Sequence, residues 1–128
     1  MAHYMLLLHQ DPATNASMPP DAFKEIVQRY YAWSQKLHQQ GRLVGGEKLA
    51  VGRARRVQLR DGKPLSSDGP YAEAKDVVGG YFVIEARDQA EADAIAKDCP
   101  HVALAATNWI EIRPIESMAQ ARSQAAAS

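Results

Sequence analysis

The sequence predicts an α+β domain with a ferredoxin-like split βαβ arrangement and one added hairpin. Two segments with helical periodicity alternate with segments of strand character, in the order β-α-β-(hairpin)-β-α-β. The most apolar strand segments carry apolar residues on both faces, although two helices in one layer cover only one face of a sheet. Two such sheets packed face to face would bury the second face. We therefore expect a homodimer that forms a dimeric α+β barrel.

Composition restricts the classes of partner and the location. The chain has 128 residues, and we expect one domain over residues 1–115 followed by an Ala-rich tail over 116–128. Its 15 basic and 15 acidic residues cancel, so we expect no nucleic-acid partner. The apolar run Met5–Leu8 is too short for a secretion signal or a membrane span, so we expect no membrane partner. Cys99 is the only cysteine, which excludes an internal disulfide and favours a reducing, cytoplasmic location.

The N-terminal part of the chain is predicted to form a strand, a loop and a long helix. Apolar residues predict a strand over residues 3–9, and a polar loop is predicted over residues 11–19. A helix over about residues 20–40 follows, because Pro20 suits a first helical position and Gly41 suits a stop. The apolar stripe of this helix is expected to pack in the core and comprises Phe23, Ile26, Val27, Tyr30, Trp33 and Leu37.

The middle of the chain is predicted to be mostly extended. A short extended segment covers Leu43–Leu49, and a hairpin over residues 56–66 turns at Asp61-Gly62. Val77–Ala86 is the most apolar strand, and Gly79-Gly80 within it indicates a bulge or a close backbone approach.

The C-terminal part is predicted to be a second helix, a last strand and a tail. Asp88 and Glu91 resemble a capping box at the start of the helix, and Pro100 ends it. The last strand covers Asn108–Ile115, and alternation gives one of its faces to Trp109, Glu111 and Arg113. The tail has no core pattern, so we expect the partner protomer to order it as a helix.

Ionisable residues are concentrated in the segment Asp68–Asp76, between the hairpin and the most apolar strand. Its Asp-Gly-Pro start punctuates the backbone and predicts a short helical turn over Tyr71–Ala74. We expect Asp68 to be the main carboxylate of a functional loop, with Glu73 and Lys75 beside it. The alternative is that Asp68 caps the short turn by accepting backbone N–H bonds, while Glu73 and Lys75 pair on the surface.

The same segment carries a family resemblance. Asp68-Gly-Pro-Tyr-Ala-Glu-Ala-Lys-Asp76, followed by Gly79-Gly80-Tyr81-Phe82, resembles the signature of the DGPF branch of the YCII-related family. Three other segments are similar to the opening strand, the post-helix segment and the closing strand of that family: Tyr4–Leu8, Gly41–Leu49 and Ile110–Ile115. The resemblance covers about residues 1–115 and implies the same dimeric assembly that the apolar sheet faces predict.

The resemblance also bears on catalytic residues. In the wider family a histidine on the first helix and an aspartate after the second helix look like a catalytic dyad. Tyr30 matches the histidine position, and Asp98-Cys99-Pro100 stands where the family has Asp-Pro, so the dyad does not carry over intact. Tyr30 is therefore either a weak acid or hydrogen-bond donor, or a core tyrosine whose hydroxyl reaches a cleft.

We expect a cleft between the first helix and the paired sheets. Glu111 beside Arg113 could act as a general base or hold an anion there, or the two could pair across the dimer. No two histidines have metal-ligand spacing, and there is no phosphate-binding Gly-rich loop, so we expect no metal and no cofactor. His9 and His101 are interpreted as isolated histidines. The candidate catalytic residues are Asp68, Glu73 and Tyr30, and the candidate substrate-binding residues are Arg113, Glu111, Lys75, His9 and Trp109.

Two functions remain open. Resemblance to a relative that eliminates chloride from a chlorinated hydroxyquinol implies a cofactor-independent enzyme. Such an enzyme would act on a small polar or aromatic metabolite by elimination or isomerisation, using general acid–base chemistry. The alternative is a non-enzymatic ligand-binding or regulatory protein, because DGPF-type proteins are often encoded beside extracytoplasmic-function sigma factors.

Overall fold

The computed structural model describes residues 1–50, 54–69 and 75–127. Within them the chain is a mixed α+β protein with one four-stranded antiparallel sheet, a separate two-stranded hairpin and five helices. In chain order the elements are β1 Ala2–Gln10, α1 Pro12–Ala16, α2 Pro20–Gln39, β2 Leu43–Lys48, β3 Arg55–Arg60, β4 Lys63–Asp68, β5 Val77–Ala86, α3 Gln89–Lys97, α4 His101–Leu104, β6 Trp109–Pro114 and α5 Met118–Ala127.

The core lies on one face of the four-stranded sheet, whose strand order is β2-β5-β1-β6. Helices α2 and α3 contribute to it from above, and the Trp33 ring of α2 meets the Phe82 ring of β5 edge to face, with centroids 4.9 Å apart. Leu6 and Ile84, on the two central strands, are completely buried. The buried residues of this core are Tyr4, Leu6, Trp33, Leu37, Ile84, Ala86, Ala92, Ala96 and Cys99.

The opposite face of the sheet is open in the single chain. Met5 and Leu7 of β1 lie between residues of β5 and β6 on this face, and both are half-buried. The predicted alternation of β6 is confirmed, because Trp109, Glu111 and Arg113 are the register partners of His9, Leu7 and Met5. The described strands do not close into a barrel.

The predicted helix boundaries are confirmed by their local chemistry. Pro20 begins α2, and Gly41, with φ of 71°, follows its last turn. The Asp88 carboxylate accepts a hydrogen bond from the Glu91 amide at 2.9 Å, and this caps α3. No helix within the described ranges could cross a membrane, because the 20-residue α2 is too polar and the other helices are too short.

The predicted bulge and hairpin are also present. The pairing of β1 with β5 shifts register between Leu8 and His9, opposite Gly79. The hairpin turns at Asp61 and Gly62, which have φ of 53° and 78°, as a type I′ turn requires. Every residue of β3 and β4 is exposed, so this arm contributes nothing to the core of the chain.

The structure differs from the sequence prediction in two short segments. Residues 11–19 contain a helix, α1, where a loop was expected, because the Asp11 carboxylate accepts from the Ala13 amide and starts a turn. The segment after Pro100 continues as α4. The tail forms a helix, as expected, and Ser117 and Gln120 at the start of α5 exchange the two hydrogen bonds of a capping box. The predicted short turn Tyr71–Ala74 lies outside the described residues.

Gly46 is required by close packing in β2. A Cβ at this position would lie 2.6 Å from the Phe82 ring and 2.6 Å from the Tyr81 carbonyl oxygen. Gly46→Ala is therefore expected to lower the free energy of unfolding by about 1–3 kcal/mol, measured by urea denaturation. Gly45→Ala is the matched control, because nothing lies within 4 Å of its Cβ position. Equal effects of the two substitutions would contradict the packing argument.

Candidate functional site

A cavity of about 280 Å³ lies beneath α2, where β1, β2 and β5 meet α4. Its walls are mainly apolar, and Tyr30, His101 and Asn108 are the polar residues that belong to its hydrogen-bonded part. Further polar residues that line it include Gln10, Thr14, Glu47 and Lys48. The apolar side chains of the walls include Leu8, Phe23, Ile26, Val27, Phe82 and Leu104.

A chain of hydrogen bonds runs from the cavity wall into the sheet. The Tyr30 hydroxyl oxygen lies 2.6 Å from Nδ1 of His101, and Nε2 of His101 lies 2.7 Å from the backbone carbonyl oxygen of His9. A carbonyl oxygen only accepts, so Nε2 carries the imidazole hydrogen and Nδ1 accepts from the Tyr30 hydroxyl. The chain is Tyr30 O–H to His101 Nδ1, and His101 Nε2–H to the His9 carbonyl. It reaches β1 where the ladder with β5 is irregular.

Burial keeps both members of this pair uncharged near neutral pH. His101 is completely buried, and loss of solvation lowers the pKa of its imidazole below the ordinary value of 6.5. Burial also raises the pKa of the Tyr30 phenol far above its ordinary value of 10.0. A neutral phenol hydrogen-bonded to a neutral imidazole can pass one proton in either direction. The pair can therefore serve as an acid or as a base toward a molecule in the cavity.

Asn108 holds this arrangement from the strand side. Its Nδ2 donates to the backbone carbonyl oxygen of His101 at 3.0 Å. Its Oδ1 is buried and has no hydrogen-bond partner among the described residues. The amide orientation is fixed, because the His101 carbonyl can be satisfied only by the NH₂ group. Asn108 lines the cavity, but its Oδ1 has almost no accessible surface, so a molecule in the cavity could reach this oxygen only if the side chain moved.

The His9 side chain belongs to a second cluster, on the open face of the sheet. Its imidazole stacks on the Trp109 ring at 3.9 Å between centroids, and its Nε2 lies 3.0 Å from the Glu111 carboxylate. The Asp76 carboxylate accepts from the Trp109 indole at 3.1 Å and lies 3.2 Å from His9 Nδ1. Arg113 lies 3.8 Å from Glu111, within ion-pair distance. Thus four of the expected substrate-binding residues do come together, but on the face opposite the cavity.

The described residues of the segment Asp68–Asp76 are absent from the lining of the cavity. Asp68 ends β4 and pairs with Arg55 at 2.6 Å, and its side chain is 91% exposed. It is absent from the described lining of the cavity, and its role as the main carboxylate of a functional loop stays a prediction. Lys75 is exposed, and Glu73 lies outside the described residues.

Tyr30 and Asp98, at the two positions of the family dyad, have different surroundings. Tyr30 reaches the cavity, whereas Asp98 is exposed and pairs with Lys36 at 3.3 Å. The neighbouring Cys99 is buried, and burial raises the pKa of its thiol to about 11, so it remains a thiol near neutral pH. In this position Cys99 acts as a small apolar residue of the core. Within residues 1–50, 54–69 and 75–127, no group of three or more His, Cys, Asp or Glu side chains is arranged to hold a metal ion.

Sequence reasoning missed His101 and Asn108. The interpretation of His9 and His101 as isolated histidines is wrong, because the His9 ring stacks on Trp109 and the His101 ring bonds to the Tyr30 hydroxyl. The sequence contains one weak signal, a histidine directly after a helix-stopping proline, and this signal does not specify a partner. Asn108 was assigned only as the start of the last strand, and its role depends on the position of His101.

The buried pair predicts a stability optimum between its two titrations. The folded His101 pKa lies below 6.5, so the stability from its neutral form is full above pH 6.5 and is lost as the pH falls toward the folded value. The folded Tyr30 pKa lies above 10.0, so its contribution is full below pH 10.0 and is lost as the pH rises. The pKa of the buried Cys99 thiol is also raised, so Cys99 adds a further loss of stability as the pH rises above 9.0. Urea denaturation across this range should show both limbs, and Tyr30→Phe should weaken only the alkaline limb. An acid limb that also disappears in Tyr30→Phe would contradict this assignment.

Comparison with known proteins gives one result for nearly the whole chain. The family model for the YCII-related domain matches residues 2–127. A search of curated proteins finds no match for the chain.

Proposed function

This chain belongs to the YCII-related domain family, and we propose that it is a cofactor-independent enzyme that moves a proton on a small, largely apolar metabolite. The observation that carries the proposal is the 2.6 Å hydrogen bond between Tyr30 and His101 at the wall of the cavity. An enzyme moves a proton through a side chain positioned against the substrate, and a second group hydrogen-bonded to that side chain can take or supply the proton. Tyr30 has the first role and His101, behind it, has the second.

The proposed proton transfer uses the hydrogen-bond chain without breaking it. A substrate proton moves to the Tyr30 oxygen as the Tyr30 proton moves to His101 Nδ1, which leaves a substrate anion and an imidazolium. The Nε2–H bond of His101 to the His9 carbonyl persists throughout and orients the ring. Returning the proton to a different substrate atom completes an isomerisation. Departure of a leaving group with its bonding electron pair completes an elimination, with the proton released to solvent afterwards. Low dielectric around the pair makes the charged state short-lived.

A deuterium-exchange experiment tests this proposal. Small metabolites that raise the thermal midpoint of the protein are first selected from a library. Each is then incubated with the protein in D₂O and followed by NMR. Deuterium incorporation or product formation that depends on the protein supports proton transfer. Ligands that bind tightly and remain chemically unchanged, with no exchange, would contradict it.

The second candidate is a non-enzymatic ligand-binding or regulatory protein, for example one that works with an extracytoplasmic-function sigma factor. The observation that favours it is that burial leaves Tyr30 and His101 both uncharged, which suits hydrogen bonding to a ligand at least as well as catalysis. Binding without exchange in the experiment above would support this candidate. Copurification with a sigma factor that depends on the selected ligand would separate regulation from simple binding.

We also propose that the chain works as a homodimer through the open sheet face, as a dimeric α+β barrel of ferredoxin-like halves. The strand order β2-β5-β1-β6 and the half-buried Met5 and Leu7 on this face support the proposal. A stable dimer should bury about 1,200–2,000 Å².

We also propose that the chain belongs to the DGPF branch, because of its Asp68-Gly-Pro motif. We propose a cytoplasmic location because the thiol of Cys99 is buried and free.

Analytical ultracentrifugation tests the dimer. We expect a dimer at micromolar protein concentration, and Leu7→Glu should shift it to monomer because the new carboxylate would be buried beside Glu111, the register partner of Leu7. Val57→Glu is the control, because Val57 is exposed on the hairpin arm. Deleting residues 117–128 tests in the same way whether α5 docks on the partner, since each described residue of that helix is at least partly exposed. A wild-type monomer would contradict the proposed assembly.

A further inference from the structure

The two charged residues that line the cavity lie on opposite faces of β2. Lys48 is the register partner of Gly80 on β5, and Gly80 is in turn the partner of Leu8, which is buried on the core face of the sheet. Glu47 pairs with the β5 residue that lies opposite Leu7 of the open face. Register partners direct their side chains to the same face of a sheet. The Lys48 side chain therefore lies on the cavity face, whereas the Glu47 side chain points away from it.

The ammonium group of Lys48 has no carboxylate partner in the part of the chain that the structure describes. Its one hydrogen bond there is to the carbonyl oxygen of the neighbouring Leu49, at 3.4 Å. An ammonium group has three N–H donors, so two remain for other partners. Because Lys48 is exposed, water solvates these donors in the free protein, and an anionic group of a ligand can replace that water.

Gln10 and Thr14 supply uncharged donors beside this ammonium. Gln10 follows Leu8 at strand spacing on β1, and its half-buried side-chain amide lies directly over Gly79, where a Cβ would overlap it. Among the described residues this amide has no hydrogen-bond partner, and neither does the hydroxyl of Thr14, which lies on α1. The Lys48 end of the cavity therefore combines one cation with two neutral groups that can donate hydrogen bonds.

The hydrogen-bonded pair of Tyr30 and His101 lies toward the other side of the sheet. The His101 ring is bonded to a backbone carbonyl of β1, and α4, which contains it, packs against β6. Lys48 is on β2, which β5 separates from β1, so two strand spacings, about 10 Å, lie between β2 and β1. Phe82 of the intervening strand supplies an apolar wall. The cavity is therefore cationic at one end, apolar in the middle and uncharged at the acid–base pair.

We propose that Lys48 binds the anionic group of the ligand and that the substrate class is a small aromatic or apolar carboxylate. The inference rests on the proposed function in taking this cavity as the substrate site, and it adds an orientation. The carboxylate lies at Lys48 and Gln10, and the carbon that exchanges its proton lies at Tyr30. One cation with neutral donors matches a singly charged group. A cavity of about 150 Å³ holds benzene, so about 280 Å³ leaves room for one ring with a short acidic side chain.

Three probes of similar size test the charge preference: phenylacetate, which is anionic; phenylacetamide, which is neutral and nearly isosteric; and phenethylamine, which is cationic. Affinities are measured by NMR chemical-shift titration at low ionic strength, and shifts at cavity residues confirm the location. We expect phenylacetate to bind about fivefold more tightly than phenylacetamide, which corresponds to about 1 kcal/mol, the upper end for an exposed ion pair. Phenethylamine should bind most weakly. Added salt should reduce the preference for phenylacetate, because the ammonium is exposed.

Substitutions of Lys48 show whether this side chain is the cause. Lys48→Gln should remove the preference for phenylacetate over phenylacetamide, and Lys48→Arg should retain it, because the positive charge remains. Lys63→Gln is the matched control, because Lys63 is an exposed lysine of the hairpin arm, and it should leave the preference unchanged. Both lysines are exposed, so all three variants should fold. Gln10→Leu should weaken binding of both phenylacetate and phenylacetamide, because the Gln10 amide can bond to either.

The outcomes distinguish this inference from the proposed function. Equal binding of phenylacetate and phenylacetamide, tighter binding of phenethylamine, or a preference that survives in Lys48→Gln would overturn the role of Lys48 while leaving the cavity as a binding site. A neutral substrate that exchanges deuterium and is converted as well by Lys48→Gln as by wild type would support proton transfer and overturn the carboxylate class. If no probe shifts any cavity residue, both the role of Lys48 and the proposed binding role of the cavity fail.

Discussion

Replacing His101 by leucine is expected to lower the free energy of unfolding by about 2–4 kcal/mol. The substitution keeps an apolar side chain of similar size in a completely buried position but removes both hydrogen bonds of the imidazole ring. The Tyr30 hydroxyl and the His9 carbonyl then lose their partner in a poorly solvated region, at about 1–3 kcal/mol for each buried unsatisfied group. Urea denaturation monitored by circular dichroism measures the change.

A double-mutant cycle shows whether this loss comes from the hydrogen-bond chain. Combining His101→Leu with Tyr30→Phe removes the hydroxyl that the first substitution leaves unpaired, so the double variant should lose less stability than the sum of the single variants. His38→Leu is the matched control, because His38 is an exposed histidine on α2 and its replacement should change stability little. Additive effects, or a His101→Leu variant as stable as wild type, would show that the chain contributes nothing.

Sequence reasoning predicted the helices and turns that are specified by residues within or directly beside them. Helix α2 follows from apolar spacing between Pro20 and Gly41, and the hairpin follows from Asp61-Gly62, because each signal lies within the element that it specifies. The bulge beside Gly79 was predictable for the same reason. Helix α1 was missed because its start depends on a single Asp11 hydrogen bond in a segment rich in loop-forming residues.

The candidate site could be predicted only in part, because its chemistry depends on contacts between distant segments. Tyr30 was identified from its match to a family position, but its partner lies 71 residues away. The cluster of charged residues in the sequence favoured Asp68, but Asp68 forms an exposed ion pair with Arg55. The cavity contains instead a pair that burial keeps uncharged, and such a pair has no compositional signature in a sequence. His9 was identified for its side chain, whereas its backbone carbonyl is the atom that supports the cavity.

Replacing Tyr30 by phenylalanine is expected to reduce kcat by about 10²–10⁴-fold on the substrate that the exchange experiment identifies. Both residues of the pair belong to the cavity, but Tyr30 keeps accessible surface whereas His101 is completely buried, so Tyr30 is the one that can touch a ligand. Losing the hydroxyl therefore interrupts proton transfer, and general acid–base groups typically contribute about that factor. KM should rise much less than kcat falls, because the apolar walls that bind the body of the substrate are unchanged.

Tyr31→Phe is the control that the chain itself offers. Tyr31 is the next residue on α2, is 64% exposed and is absent from the described lining of the cavity, so its substitution should leave kcat and KM unchanged. The wild-type kcat should also fall as the pH approaches the lowered pKa of His101, which lies below 6.5, because protonated His101 can no longer accept the Tyr30 proton. A Tyr30→Phe variant that keeps full kcat would remove Tyr30 from the mechanism. If that variant lost affinity but not turnover, the hydroxyl would act in binding alone, and the proton would have to reach His101 Nδ1 directly from the substrate.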